Sequence, residues 1–292
     1  MTKICSVIPT FNRKEYLKIL LSKLHNQNYY NFSLEIVVVV DGSTDGTFEM
    51  LKKYFPQVHI LKGTGNWWYT KSMNEGFKYA EKFNPDYILT LNDDIEIDNN
   101  YVQTLVDDIK RVKGSSIMGT LSLTNTKPHK IVEAGIKKII KWRFKLVLYY
   151  YFLEPLGDKK LKGIYPSATL SGRGMLIPYC ILKKLNYFDE TFKQYSSDFD
   201  FCLRAKKIGY NSYISWDAKI FSHVDKSSKS SSFIRTTFFD FVKEFYNPYS
   251  RIFLISKAIY IWRHGIKIIW PISFFIFILS SFKAHFFNPK LG

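Results

Sequence analysis

The sequence predicts an α/β fold around a mostly parallel sheet flanked by helices, followed by a helical, membrane-associating C-terminal region. Three observations carry this. Apolar runs alternate with segments of helical periodicity through the first 120 residues, the order expected of stacked strand-helix-strand units. The run Ile36 to Val40 is uniformly β-branched, as a strand covered on both faces requires. Finally, the run Leu91-Asn92-Asp93-Asp94-Ile95-Glu96 puts adjacent carboxylates at the end of an apolar strand, where open α/β sheets bind ligands.

In chain order, strands are predicted at Ile4 to Ile8, Glu35 to Val40, Val58 to Leu61, Tyr87 to Leu91 and Ser116 to Thr120. Helices fall between them, at Lys14 to Gln27, Gly46 to Tyr54, Thr70 to Phe83 and Asn99 to Lys113. The second strand ends at Asp41-Gly42-Ser43-Thr44-Asp45-Gly46-Thr47, a turn into a helix and again a ligand position. From Leu121 to Tyr165 the pattern breaks. There the basic, aromatic stretch Lys137 to Lys145 reads either as a β-hairpin or as a mobile flap. Ser171-Gly172-Arg173-Gly174 follows, with glycines that permit close backbone approach.

The 292 residues are 46% hydrophobic and 23% charged, which excludes wholesale disorder. Lys and Arg outnumber Asp and Glu by 42 to 25, so an anionic partner is expected: a phosphate-rich ligand, a nucleic acid or an acidic membrane. Cys5, Cys180 and Cys202 are too sparse for a disulfide framework and fit a reducing compartment. Met1-Thr2-Lys3-Ile4 enters a strand without a signal-peptide pattern, so the bulk of the protein is expected in the cytosol. Ile268 to Phe282 carries no charge. As a helix it would extend about 22 Å, against a hydrocarbon core of about 30 Å. Pro271 weakens the spanning reading further, so an interfacial or re-entrant element beside acidic lipid is expected. The alternative is a helix pair packed on the core.

Asp93 and Asp94 repel unless a cation joins them. Hard oxygen ligands suit Mg²⁺ or Mn²⁺, which bind a diphosphate through one or two carboxylates. The competing reading is an acidic turn that caps the next helix. Gly63-Thr64-Gly65 resembles the start of a dinucleotide fingerprint, but Trp68 occupies the third glycine position, which argues against hydride transfer.

Several motifs then line up. They are Pro9-Thr10-Phe11-Asn12-Arg13, the Asp41 to Thr47 run, Gly65-Asn66-Trp67-Trp68 with Asn74 and Gly76, and Asn92-Asp93-Asp94. Gly172 to Pro178, Ser197-Asp198-Phe199-Asp200 with Arg204, and His223 complete the series. Over roughly Ile4 to His223 their order resembles family 2 glycosyltransferases with the Rossmann-like GT-A fold, notably bacterial polysaccharide-assembling members related to rhamnosyl- and galactofuranosyltransferases.

The resemblance implies a catalytic domain over 1–225, with a nucleotide-binding half (1–120) and an acceptor-binding half (121–225). A basic, aromatic, membrane-associating region over 226–292 follows, joined through a Ser/Lys-rich linker at Lys226 to Ser232. It places Thr10, Asn12, Arg13 and Asp41 on the nucleotide, where a carboxylate can accept the base's imide N–H. Shaping of the turn by Asp41 and Asp45 is the alternative. Asn66, Trp67 and Trp68 face a sugar or base, or the tryptophans belong to the core. Where the family carries Ala-Arg-Asn-x-Gly this chain has Ser72-Met73-Asn74-Glu75-Gly76, so Lys71 stands in for the phosphate-facing Arg, with Asn74 beside it. Asn92 replaces the first Asp of the family's metal motif, Asp93 faces the donor, and Asp94 with Glu96 and His223 holds Mn²⁺ or Mg²⁺. Gly172 and Arg173 complete the donor site.

Asp198 is the expected general base, although Ser197 replaces the preceding Glu. Its apolar neighbours Phe199, Phe201 and Cys202 raise a carboxylate's proton affinity. Asp200 and Arg204 are expected to pair on the helix surface.

The function so implied is inverting, metal-dependent transfer of a hexosyl or rhamnosyl unit. The donor is a UDP- or dTDP-linked sugar, and the acceptor a hydroxyl of a growing lipid-linked cell-surface glycan at the cytoplasmic face of the membrane. Nucleic acid is not an expected partner; a homo-oligomer is compatible with the sequence. The rival readings are a nucleotidyltransferase acting on sugar phosphates and a noncatalytic basic membrane- or nucleic-acid-binding protein.

Overall fold

The computed structural model describes residues 1–28, 30–112, 115–224 and 237–287. Its first half alternates β1 (Thr2–Thr10), α1 (Lys14–His25), β2 (Phe32–Val40), α2 (Thr47–Tyr54), β3 (His59–Lys62), α3 (Trp68–Ala80) and β4 (Tyr87–Thr90). The four strands run parallel in the order β3-β2-β1-β4, with Thr2 opposite Phe32 and Thr10 opposite Val40. Every residue from Ile36 to Val40 is buried, as the β-branched run predicts. On one face Leu17, Leu20, Leu21 and Leu24 of α1, spaced as a single helical stripe, pack over Ile4 and Ile8. On the other, Met73, Phe77 and Ala80 of α3 cover Val7 and Val39. A Cβ on Gly76 would run into the Val7 side chain, so the glycine lets α3 sit directly on the sheet. Each such fully buried aliphatic side chain contributes about 1.5–3 kcal/mol.

The chain continues through β5 (Ile95–Ile97), α4 (Tyr101–Arg111), β6 (Ser116–Thr124), β7 (Lys130–Glu133), the hairpin β8 (Ile136–Ile140) and β9 (Lys145–Leu148), β10 (Glu154–Pro155) and β11 (Ile164–Ser167). It then forms β12 (Met175–Pro178), α5 (Tyr179–Lys184), α6 (Ser197–Lys207) and β13 (Asn211–Ser222). Of the two readings of the basic stretch, the structure takes the hairpin. β12 inserts antiparallel between β4 and β6, while β13 runs parallel to β6 and antiparallel to β5 and β11. The second strand begins at Phe32 and β6 runs on to Thr124, both beyond the predicted bounds. The end of the predicted helix at Lys113 and the linker Lys226 to Ser232 lie outside the described residues.

Among the described residues from 237 onward lie the helices α7 (Phe238–Glu244), α8 (Leu254–His264) and the longer α9 (Trp270–Phe287). The expected boundary at 225 does not separate α8 from the first domain. Arg263 Nη1 and His264 Nε2 each lie 2.8 Å from Asp200 Oδ1, and Lys257 Nζ donates to Ser196 Oγ at 3.2 Å. The Asp200–Arg204 pair is accordingly buried, which corrects the expected surface pair: Arg204 Nε meets Asp200 Oδ2 at 2.7 Å and the carboxylate is fully enclosed. Burial alone would raise the Asp200 pKa. The hydrogen bonds from His264 and Arg204, together with the Arg263 charge, hold it below the ordinary carboxylate value.

α9 is the one helix among the described residues long and apolar enough to cross a membrane. The stretch Lys267–Phe286 has mean hydropathy 1.5 and is 6% buried. Pro271 does not interrupt it. The ring sits in the first helical turn, where no intrahelical N–H bond is lost, so the 18 residues extend about 27 Å.

Candidate active site at the strand tips

The carboxyl ends of β1, β2 and β4 open into a cleft of about 380 Å³, within the range of small-ligand sites. Of the sequence-predicted residues, Thr10, Arg13, Asp41, Trp68, Asn92, Asp93, Asp94 and Arg173 line it. Arg13, at the start of α1, places Nη1 3.0 Å from both Asp93 Oδ1 and Asp94 Oδ2, so the repulsion expected between adjacent carboxylates is met by a guanidinium. Burial pushes the Asp93 carboxyl up to about 6, against the Arg13 charge.

Asp41 faces the cleft but is largely occupied. Oδ1 accepts from Gly65 N at 2.7 Å, and Oδ2 accepts from Trp67 N and Trp68 N at 2.8 and 3.0 Å. A carboxylate offers about four acceptor positions, so one is left for a ligand. Its principal local effect is to fix the 63–68 loop, which supports the turn-shaping alternative for this residue. Asn12, in the left-handed region at φ 52°, accepts from Thr44 N through Oδ1 at 2.8 Å and joins the first two strand-tip loops outside the cleft.

The predicted placements of Asn66, Lys71 and Asn74 are corrected, and for Trp67 the structure takes the core alternative. Asn66 is exposed and does not line the cleft. Trp67 packs against the core cluster under α3. Lys71 is exposed, with Nζ 5.7 Å over the Trp67 ring, so Arg13 and Arg173 are the cations in the cleft instead. Asn74 is buried and spends its amide on Phe188 and Glu190 because α3 turns it toward the 188–190 loop. Trp68 stands at the rim, 41% exposed, and stacks on Tyr249 with centroids 3.8 Å apart.

Asp198 opens α6 behind the cleft wall. Oδ2 accepts from Gly172 N at 2.7 Å and Oδ1 from Phe199 N at 2.8 Å. Burial outweighs these two donors and pushes the carboxyl up to about 6. The neighbouring Arg173 lines the cleft, so one backbone step joins Asp198 to it. A Cβ on Gly172 would collide with the Tyr69 hydroxyl, which shows how closely Tyr69, Gly172 and Asp198 pack. Tyr69 Oη and Tyr260 Oη are buried without partners, and burial, followed by the Asp198 charge, holds both phenols protonated.

Asp94, Glu96 and His223 do not converge as a ligand set. No group of three His, Cys, Asp or Glu that could hold a metal occurs among the described residues. Asp94 lies in the turn before β5, so strand alternation does not align it with Glu96. Glu96 Oε1 instead lies 3.0 Å from His223 Nε2, and His223 Nδ1 faces Asn125 Nδ2 at 2.7 Å. Backbone pairing still brings His223 beside Asp94, with its N–H donating to the Asp94 carbonyl at 3.1 Å. Asp94 Oδ1 is buried with no partner. An anionic oxygen so placed fits a divalent ion that takes its other ligands from a diphosphate and water.

Sequence reasoning missed Phe11, Tyr69, Ser72 and Gln194 in the cleft. Tyr69 follows the Trp67-Trp68 pair and Gln194, which accepts from Tyr69 N at 3.1 Å, lies four residues before Asp198, so motif proximity was the available signal. Tyr249, Lys257 and Tyr260 had none.

A cleft at the tips of a parallel sheet is thus lined by paired carboxylates and two arginines, with an enclosed carboxylate of raised proton affinity behind it. The glycosyl transferase family 2 profile matches residues 5–175, and the chain belongs to that family. It is 23% identical over 215 residues to the rhamnosyltransferase WbbL of Escherichia coli K12, covering 70% of this chain and 76% of WbbL. Four other curated relatives, two of them the same TarS from two strains, match over only 13% to 22% of their own length, so the chain spans a small part of them. Among solved structures, S. aureus TarS 1-349 in complex with UDP superposes with TM-score 0.58 at 14% identity, covering 97% of this chain and 90% of that one. The mannosyltransferase PcManGT from Pyrobaculum calidifontis, in complex with GDP-Man and Mn²⁺, gives 0.56 at 13% identity, covering 96% and 74%. These structures share the GT-A fold.

Proposed function

We propose that the protein transfers a hexosyl or rhamnosyl unit from a UDP- or dTDP-sugar to a hydroxyl of a growing, lipid-linked cell-surface glycan, with inversion at the anomeric carbon. The observation that carries the reading is the cleft itself, where Asp41, Asp93, Asp94, Arg13 and Arg173 face one space and Asp198 is bonded to the residue next to Arg173. Family membership favours it over the nucleotidyltransferase and noncatalytic readings. The UDP complex of TarS and the activity named for WbbL support a nucleotide-sugar donor.

Asp41 and the β1 tip hold the nucleoside, and Arg13 and Arg173 face the diphosphate. Asp198 removes the acceptor hydroxyl proton as the oxygen attacks the anomeric carbon opposite the departing nucleoside diphosphate. Asp94 Oδ1 would hold Mn²⁺ or Mg²⁺, which supplies charge neutralisation to the diphosphate. The Mn²⁺ in PcManGT supports this choice. Gly172 fixes the Asp198 carboxylate, and Tyr69 excludes water from its side of the wall. The exposed apolar α9 supports an acceptor presented at the cytoplasmic membrane face.

The test is a screen of UDP- and dTDP-sugars for binding by calorimetry and for metal-dependent turnover. Binding and turnover of at least one are expected; absence of binding by all of them would overturn the reading.

A further inference from the structure

Two segments far apart in the sequence are free of acidic residues: 134–153, which holds Lys137, Lys138, Lys141, Arg143 and Lys145, and everything after Glu244. The fold brings them together. The carbonyl of Trp142, between β8 and β9, accepts from Ser273 Oγ of α9, and the Phe144 ring meets Tyr260 of α8 edge-on at 5.0 Å. At the same corner Lys207 Nζ donates to the Arg263 carbonyl at 2.6 Å, and Lys267 Nζ lies 5.5 Å over the Trp262 ring.

Burial lowers the Lys207 pKa; the Asp200 charge opposes this, and the cations Arg263, Lys267 and Lys141 add to the lowering. Lys207 therefore feels the charge of both Lys141 and Lys267. Beside them Trp142 and Trp262 are each 50% exposed and Ile268 is 89% exposed, leading into the bare face of α9.

We propose that the β8–β9 tip, the end of α8 and the start of α9 form a single docking face for an anionic phospholipid bilayer, with the lysines on the headgroup phosphates and the tryptophans at the interface. The proposal deepens the membrane-face reading above and rests on it. Cations and interfacial aromatics rimming an apolar helix suit a surface that is negative outside and hydrocarbon within. A second copy would present the same positive charge to itself.

Flotation of the full chain with vesicles of phosphatidylcholine alone, or with about one-third phosphatidylglycerol, tests this. Preferential binding to the anionic vesicles is expected. Lys141→Gln with Lys267→Gln removes two interfacial charges and is expected to weaken that binding roughly 30-fold, with Trp142→Ala weakening it several-fold. Unfolding midpoints and binding of UDP should match the wild type. If wild type and double variant float equally, this face is not the docking surface although α9 anchoring stands. If the wild type floats with neither composition, the membrane reading falls with it. If the double variant instead dissociates a wild-type oligomer, the face is an interface between copies and the proposal is overturned.

Discussion

The two sides of the cleft are built on opposite plans. On the Asp41 side, that carboxylate accepts three amide N–H groups, Asn12 ties two loops together and Arg13 joins both carboxylates of the Asp93–Asp94 turn. Local hydrogen bonds set that side before any ligand arrives. Whereas the first side leaves Asp94 Oδ1 and Thr10 Oγ1 unpaired amid its bonded loops, around Asp198 a carboxylate takes only two amides and two phenols are buried without partners. Its shape comes from α8, some sixty residues downstream, packed on α6. Pre-ordered loops limit the entropy lost on binding.

If that contrast is right, substitutions on the Asp198 side should abolish chemistry with the fold intact, and those on the Asp41 side should damage the fold first. The largest effect is expected from Asp198→Asn, which should slow transfer about 10³-fold while leaving UDP binding within a few-fold of wild type, as loss of a general base requires. In the wild type, kcat/KM should fall tenfold per pH unit below about 6, the pH at which the buried Asp198 protonates. The stability sign is opposite. A carboxyl raised above its ordinary 3.8 contributes stability below that value and loses it as pH rises through 6, so the base is ionised at the fold's expense. A pH–rate profile flat between 5 and 8 would remove Asp198 as the base.

Asp41→Ala tests the other plan. Three part-buried amides lose their acceptor, each costing about 1 kcal/mol or more, so a destabilisation of about 3 kcal/mol is expected by denaturant titration. A variant of wild-type stability that had simply lost nucleotide binding would show that Asp41 acts on the ligand alone. Next in size, Asp94→Asn, which keeps the shape and removes the anionic oxygen, should lower metal-dependent turnover about 10²-fold. EDTA should do the same to the wild type, and calorimetry should find weaker Mn²⁺ binding in the UDP complex of the variant. Equal Mn²⁺ affinity in both would place the ion elsewhere.

The same contrast explains what the sequence disclosed. Parallel strands and their tips are local features: the β-branched Ile36 to Val40 run and the Asp93-Asp94 turn read directly as a strand and a strand-tip turn that faces the cleft. Asp198 was singled out by its resemblance to the family's acidic motif, and the structure buries it in the first turn of α6. Side-chain direction was not legible. Nothing in the spacing shows that Lys71 turns outward, that Asn74 is consumed by Phe188 and Glu190, or that Glu96 meets His223 instead of Asp94. Pro271 misled because its effect depends on whether it falls in a helix's first turn or its interior. Least visible was α8, whose composition speaks of membrane while its Arg263 and His264 are fastened to Asp200.

The smallest expected effect separates two roles for α8. Burial and the nearby Arg251 bring the Lys257 ammonium down to about 8, and the Asp198 charge favours its protonated form. By reciprocity the ammonium favours ionised Asp198. Lys257→Met should therefore shift the acidic limb of the pH–rate profile upward by roughly half a unit, costing a few-fold in rate near pH 6, and Lys257→Arg should restore it. A limb unmoved by Lys257→Met, with the rate reduced equally at every pH, would make α8 a wall that positions α6 and assign the proton affinity of Asp198 to burial alone.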